Sequence, residues 1–142
     1  MGTKRHNLTD ARGAPLSTVI SGANRHDMKL FTSVLDSLIV RRPRCWVDRP
    51  RHLCGDKGYD YPECRRAAKR RGYVEHLKER GIGDKSCARG KRHPPRRWVI
   101  ERTNGWHNRF RGLLVRYELK SANYQALVEF ANAIICFRMA HP

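Results

Sequence analysis

The chain has 142 residues, with 30 Lys and Arg against 13 Asp and Glu, a formal net charge of +17 and 39% hydrophobic residues. That length suits one domain, the blocks of apolar residues argue against disorder, and no apolar run approaches the roughly 18 residues of a membrane span. The basic N-terminal stretch has no apolar segment behind it, so it does not read as a secretory signal.

The elements follow in chain order. Alternating residues from Thr3, a turn at Asp10 to Pro15 and the β-branched run Leu16-Ser17-Thr18-Val19-Ile20 predict a hairpin over 3–21. Asp27 is placed to cap a helix over 28–39, with Leu30, Val34, Leu35 and Leu38 on one stripe. A strand over 51–56 runs through His52-Leu53-Cys54-Gly55 to Asp56, and Pro62 starts a basic helix over 61–71. Gly72 ends that helix before a strand over 73–77, and residues 78–96 read as a basic loop without periodicity. Two helices close the chain, one over 97–110 bearing Glu101 and one over 122–139 bearing Leu127, Phe130, Ala131, Ile134 and Ile135. This order predicts an α/β fold, a mixed sheet with flanking helices, with no internal repeat and no domain boundary.

The positive charge recurs in clusters at Arg41-Arg42-Pro43-Arg44, Arg65 to Arg71, Arg89 to Arg97 and Arg109 to Arg116. Such a chain gathers polyanions by counterion release, and nucleic acid is the first of these. An anionic membrane is disfavoured, because no cluster lies on an amphipathic helix with aromatic anchors. The plain alternative is an Arg-rich coding bias. Five widely spaced cysteines without a C-x-x-C pair argue against a disulfide framework and fit a reducing compartment. A zinc site drawn from His52, Cys54, Cys64, Cys87 and His93 lacks the usual paired short spacings.

Two carboxylates are candidates for chemistry. Asp56 closes a predicted buried strand between Gly55 and Gly58, at the edge where α/β proteins place ligands and where glycines permit close approach. Glu101 shares a helix face with Gly105 and Asn108, away from an apolar stripe of Val99, Thr103, Trp106 and Phe110. Alone, each has an ordinary reading: a turn or capping Asp, and an exposed Glu paired with Arg97 or Arg102. Together they could supply hard oxygen ligands to Mg²⁺ or Mn²⁺, ions that serve phosphodiester cleavage.

Six stretches in order carry a resemblance: Gly2-Thr3-Lys4-Arg5-His6; Thr9 to Leu16; Ser21-Gly22-Ala23-Asn24-Arg25-His26-Asp27; Asp56-Lys57-Gly58-Tyr59-Asp60; Arg97-Trp98-Val99-Ile100-Glu101-Arg102-Thr103; and Arg109-Phe110-Arg111 with Arg116-Tyr117-Glu118. Over essentially its whole length the chain resembles the catalytic domain of bacterial insertion-sequence DDE transposases of the IS-four/IS-five type. The resemblance implies a ribonuclease-H-like fold, a D-D-E metal triad with Mg²⁺ or Mn²⁺, and metal-dependent DNA cleavage and strand transfer. Asp56 matches the second Asp and Glu101 the Glu. In the family signature Y-x2-R-x3-E-x6-K, Arg97 and Glu101 fit, whereas Pro94 and Asn108 replace the Tyr and the Lys. Asn24, His26 and Asp27 match a recurrent loop motif without a catalytic role.

The family's first Asp lies on a core strand upstream of the Gly2 stretch, and Asp10 matches a turn position rather than that strand. The expectation is therefore a chain lacking its first core strand, a truncated or frameshifted form with impaired activity. A non-catalytic basic DNA-binding fragment that interferes with full-length transposase is the alternative. The implied partners are element-end and target DNA, held by Lys57, Arg92, Arg97, Arg102, Arg109 and Arg111, together with a homo-oligomer or an upstream transposase polypeptide. The implied location is the bacterial cytoplasm, at the nucleoid.

Overall fold

A computed structural model describes residues 2–40, 49–77 and 97–141; the predicted loop over 78–96 lies outside them. The elements are β1 (Thr3–Thr9), β2 (Pro15–Gly22), α1 (Met28–Asp36), β3 (Arg51–Gly55), a 3-10 turn (Lys57–Tyr59), α2 (Pro62–Arg70), β4 (Tyr73–Leu77), α3 (Arg97–His107), α4 (Arg111–Leu114) and α5 (Ser121–Ala140). The architecture is α/β. Among the described residues the strands form two separate two-stranded sheets, β1–β2 antiparallel and β3–β4 parallel, rather than one mixed sheet. No described helix is long and apolar enough to cross a membrane.

The chain divides into two compact units, although the sequence shows no boundary. Residues 1–25, 33–40 and 98–142 make up the first, and residues 26–32 and 41–97 the second. Each two-stranded sheet is too small to bury a face by itself, so each depends on its own helices.

In the first unit Asp10 builds the hairpin turn. Its Oδ1 accepts the backbone N–H of Arg12 and of Ala14, both at 2.8 Å. Gly13 takes φ +91°, where a side chain would strain the backbone. A register shift after Leu8 brings Thr9 opposite Pro15. One side of α5 meets β2 and α4, burying Tyr124, Val128 and Ala131 with Leu113 against Ile20 and Phe110. Its other side exposes Phe130 and Phe137, each 66% accessible. Leu127 and Phe130, counted above among the apolar residues of this helix, lie off its buried stripe, which runs Tyr124, Val128, Ala131, Ile135.

A chain of polar contacts also joins the hairpin to α3 and α5. Asn7 Nδ2 donates to Asn104 Oδ1 at 2.8 Å, Thr18 Oγ1 to Asn7 Oδ1 at 2.8 Å, and Asn132 Nδ2 to Thr18 Oγ1 at 3.0 Å. Asn132 Oδ1 then faces His107 Nε2 at 2.7 Å. Because that oxygen only accepts, His107 carries its proton on Nε2. Its Nδ1 is buried and has no partner among the described residues. Gln125 adds a clasp on β2, donating to Thr18 O and accepting from Ile20 N.

In the second unit β3 and β4 pair with Leu53 opposite Glu75 and Gly55 opposite Leu77. Alternation places those four residues on one face and His52, Cys54, Val74 and His76 on the other. α2 contacts β4 and buries Cys64, Ala67 and Ala68. It ends at Gly72, whose φ of +73° is left-handed and whose N–H returns to Lys69 O.

Candidate active site

Asp56 follows β3 directly and caps the 3-10 turn, its Oδ1 accepting Lys57 N–H at 2.7 Å. The carboxylate is exposed. Tyr59, two residues beyond the next, is half-buried, and its phenol is pushed up to about 12, first by burial and then by the charges of Asp27, Cys64 and Asp56. Its ring lies 5.4 Å from that of Phe31. A Cβ on Gly58 would stand 3.6 Å from Asp27 Oδ2, so this glycine lets the loop motif approach the turn after Asp56. His26 of the same motif receives the N–H of Met28 on Nδ1 and meets Tyr61 Oη at Nε2, 3.2 Å away. The other glycine serves the fold: a Cβ on Gly55 would stand 2.5 Å from Leu77 Cδ2, so the close approach there is made by a core side chain rather than by a ligand.

Glu101 is exposed on α3. The buried stripe of this helix is Val99, Thr103 and His107, spaced four apart, rather than one ending on Trp106, which is half-buried. Polar anchoring explains the difference. Thr103 Oγ1 donates to Gly13 O at 2.7 Å and lies 3.2 Å from Val99 O, while His107 meets Asn132. Arg102 donates to Arg12 O, and Arg5 donates to Asn108 Oδ1 and Leu113 O. Asn108, which stands where the family signature has Lys, thus receives an arginine of β1. Gly105, on the same face as Glu101, has open space at its Cβ position.

Asp56 belongs to the second unit and Glu101 to the first. Both offer exposed carboxylate oxygens, the donor type that Mg²⁺ and Mn²⁺ take. Among the described residues, no three His, Cys, Asp or Glu side chains are gathered closely enough to hold an ion.

The cationic residues separate into two kinds. Arg109 and Arg111 are exposed, whereas Arg102 is drawn onto the faces of Trp98 and Trp106, 5.1 and 5.7 Å from the ring centroids. Arg116 is a structural clamp: it donates to Glu118 O, Leu119 O and Thr3 Oγ1 and lies over Tyr124. Lys57 gives its backbone N–H to Asp56. Arg97 opens α3, and Arg92 lies outside the described residues. Sequence reasoning missed the residues that hold α3 in place, Arg5, Asn7, Thr18, His107 and Asn132. Their only sequence signal is a scatter of Asn, Thr and His in otherwise apolar elements.

The fold is that of a strongly basic α/β chain, with one candidate carboxylate at the end of a strand and another on a cross-braced helix. The transposase DDE domain family model matches residues 1–135, and the chain belongs to that family. It is also 33% identical over 138 residues to a Burkholderia cepacia protein called "Putative transposase for insertion sequence element IS402". That match covers 96% of this chain and 63% of the relative, so the chain spans under two thirds of the relative's length. No solved structure matches.

Proposed function

We propose that this chain is the catalytic part of a DNA transposase, with Asp56 and Glu101 as two of its three metal-binding carboxylates. Membership of the transposase DDE domain family carries this reading. It is supported by the exposure of both carboxylates and by the formal charge of +17. Asp56 and Glu101 would together present oxygen ligands to Mg²⁺ or Mn²⁺. Such a cation, held by these residues, would supply activation of a water or 3′-hydroxyl nucleophile and stabilisation of the leaving oxygen. Arg109 and Arg111 hold phosphates without reading sequence, as arginines on DNA backbones generally do. Arg102 braces α3 through its tryptophans and Arg12.

The fold in this reading is ribonuclease-H-like. In this reading the chain acts on DNA as part of a larger assembly, a homo-oligomer or a complex with another transposase polypeptide. The site of action is the nucleoid.

The test uses the purified chain, DNA carrying both ends of its element, and Mg²⁺ or Mn²⁺. Metal-dependent nicking is expected to vanish in Asp56→Ala and Glu101→Ala while DNA retention persists. Nicking that survives both substitutions contradicts the assignment.

A further inference from the structure

The longest helix, α5, is apolar on two sides. One side, through Tyr124, Val128, Ala131 and Ile135, is buried within the first unit. The other carries a second stripe, Ala126, Phe130, Ala133, Phe137 and Ala140, and each of these residues is exposed. Phe130 and Phe137 are both 66% accessible, with the His141 ring 4.8 Å from that of Phe137 one turn on. The stripe repeats at intervals of four, three, four and three residues, the spacing of a coiled-coil seam. None of its residues is charged, in a chain of which 30% of residues are. A helix apolar on both sides is one that is covered on both.

Small and large side chains alternate along this stripe, and the alternation fits its own reverse. With a second α5 laid antiparallel, Phe130 stands beside the partner's Ala133 and Phe137 beside the partner's Ala126, since both pairs are centred between residues 131 and 132. Each ring then enters the space over a methyl group, so the helices approach closely and pack without voids. A parallel pair would set Phe on Phe and Ala on Ala, the rings holding the helices apart and leaving cavities at the alanines. Leu127, 36% accessible, and Ile134 flank the seam and line with Phe130 an apolar groove beside Gly112 of α4. Such a contact is isologous, so one surface serves both copies and the assembly closes at two.

We propose that the outer face of α5 is the contact through which two copies of this chain pair, antiparallel, into a two-fold dimer. Two thirds of each Phe ring, from side chains of roughly 150–250 Å², together with Leu127 and the alanines, offers about 400–500 Å² per copy. A pair of copies would bury about 1,000 Å², the lower bound for a specific interface, so the dimer is a weak one populated in the micromolar range. Two chains of formal charge +17 repel each other, and screening salt therefore strengthens the contact. DNA binding responds to salt in the opposite direction. The pairing gives the homo-oligomer of the proposed transposase its interface and rests on that reading for its role. It forms without DNA or metal, so its failure and that of the carboxylate assignment are told apart.

Sedimentation velocity of the purified full chain, without DNA or metal and at rising salt, tests this. A monomer–dimer equilibrium is expected, its dimer fraction growing with chain concentration and with salt. Phe130→Glu should weaken pairing at least roughly 10-fold, as loss of a central aromatic anchor does, and should leave the helical circular dichroism unchanged because the residue is exposed. Ala133→Phe separates a fitted seam from general stickiness: it adds apolar surface, yet should weaken the dimer because the partner's Phe130 needs that space. Adding Phe130→Ala to the same chain should restore pairing, since a ring again faces a methyl group. Benzoylphenylalanine in place of Phe137 should photo-cross-link to the partner near residue 126, with the rest of the seam unaltered. A chain that stays monomeric at its solubility limit in high salt, stronger pairing in Ala133→Phe, or cross-links centred on residue 137 itself overturn the proposal. The first of these would give the outer face of α5 to a different polypeptide.

Discussion

The two units hold their candidate carboxylates in different ways. In the second, Asp56 is positioned locally: it directly follows Gly55, the last residue of β3, and caps the next turn through its neighbour's N–H. In the first, Glu101 stands on a helix whose place is set by partners 90 to 103 residues away in sequence, Arg12, Gly13, Asn7 and Arg5. A site built this way tolerates changes near Asp56 that preserve one turn. It fails at Glu101 when distant polar residues are lost.

The largest effect that breaks this comparison is expected in the apolar support of the first unit. Leu113, 3% accessible, lies under Tyr124 and Val128, and Leu113→Ala should cost about 2–4 kcal/mol in urea unfolding. Thr103→Val removes the buried donor to Gly13 O and leaves that carbonyl without it; a loss of about 1–3 kcal/mol is expected. If Thr103→Val is neutral, the braces on α3 are not what fixes Glu101.

A third test concerns pH. Burial lowers the His107 pKa below 6.5, against the opposing hydrogen bond to Asn132, with the Arg5 charge adding to the lowering. The folded state thus favours neutral His107. Its contribution is full above the unfolded value near 6.5 and is lost as pH falls from there through the lower folded value. Unfolding free energies measured from pH 7.5 down to 5 should decline, and His107→Gln should flatten that decline.

The second unit responds at lower pH and more weakly. Burial works against the Glu75 carboxylate, yet its backbone hydrogen bond, Lys69 at 3.4 Å and Arg65 bring its pKa below the ordinary 4.5. Its stabilisation is complete above about that value and disappears as pH falls through the folded one. Glu75→Gln should therefore cost about 1 kcal/mol at neutral pH, because Lys69 is largely exposed, and should cost nothing once Glu75 is protonated. Equal losses at both pH values would show that the charge is not involved.

What could be read in the sequence follows the same division. The hairpin is written in Asp10, Gly13 and Pro15, which act on neighbours within four residues. Asp56 between its glycines also stands out locally, although Gly55 admits Leu77 rather than a ligand. Periodicity put Glu101 on an exposed face of α3, but it chose Trp106 for the buried stripe. Burial of His107 depends on Asn132, 25 residues further on, and apolar patterning gives a polar residue no credit for a distant partner. Arg116 reads as a DNA ligand in a basic cluster until its bonds to Thr3 and Glu118 are seen. The division into two units has no sequence mark either, because it follows from which strands pair and not from a linker's composition.

The proposal that Asp56 and Glu101 both bind the catalytic metal is tested most directly by iron-directed backbone cleavage. Fe²⁺ in place of Mg²⁺, with ascorbate and peroxide, cuts the chain where the ion is held. The account predicts cuts near both residue 56 and residue 101, suppressed together by either Asp56→Ala or Glu101→Ala. Cuts near only one carboxylate, or cuts near one that persist when the other is removed, would contradict it.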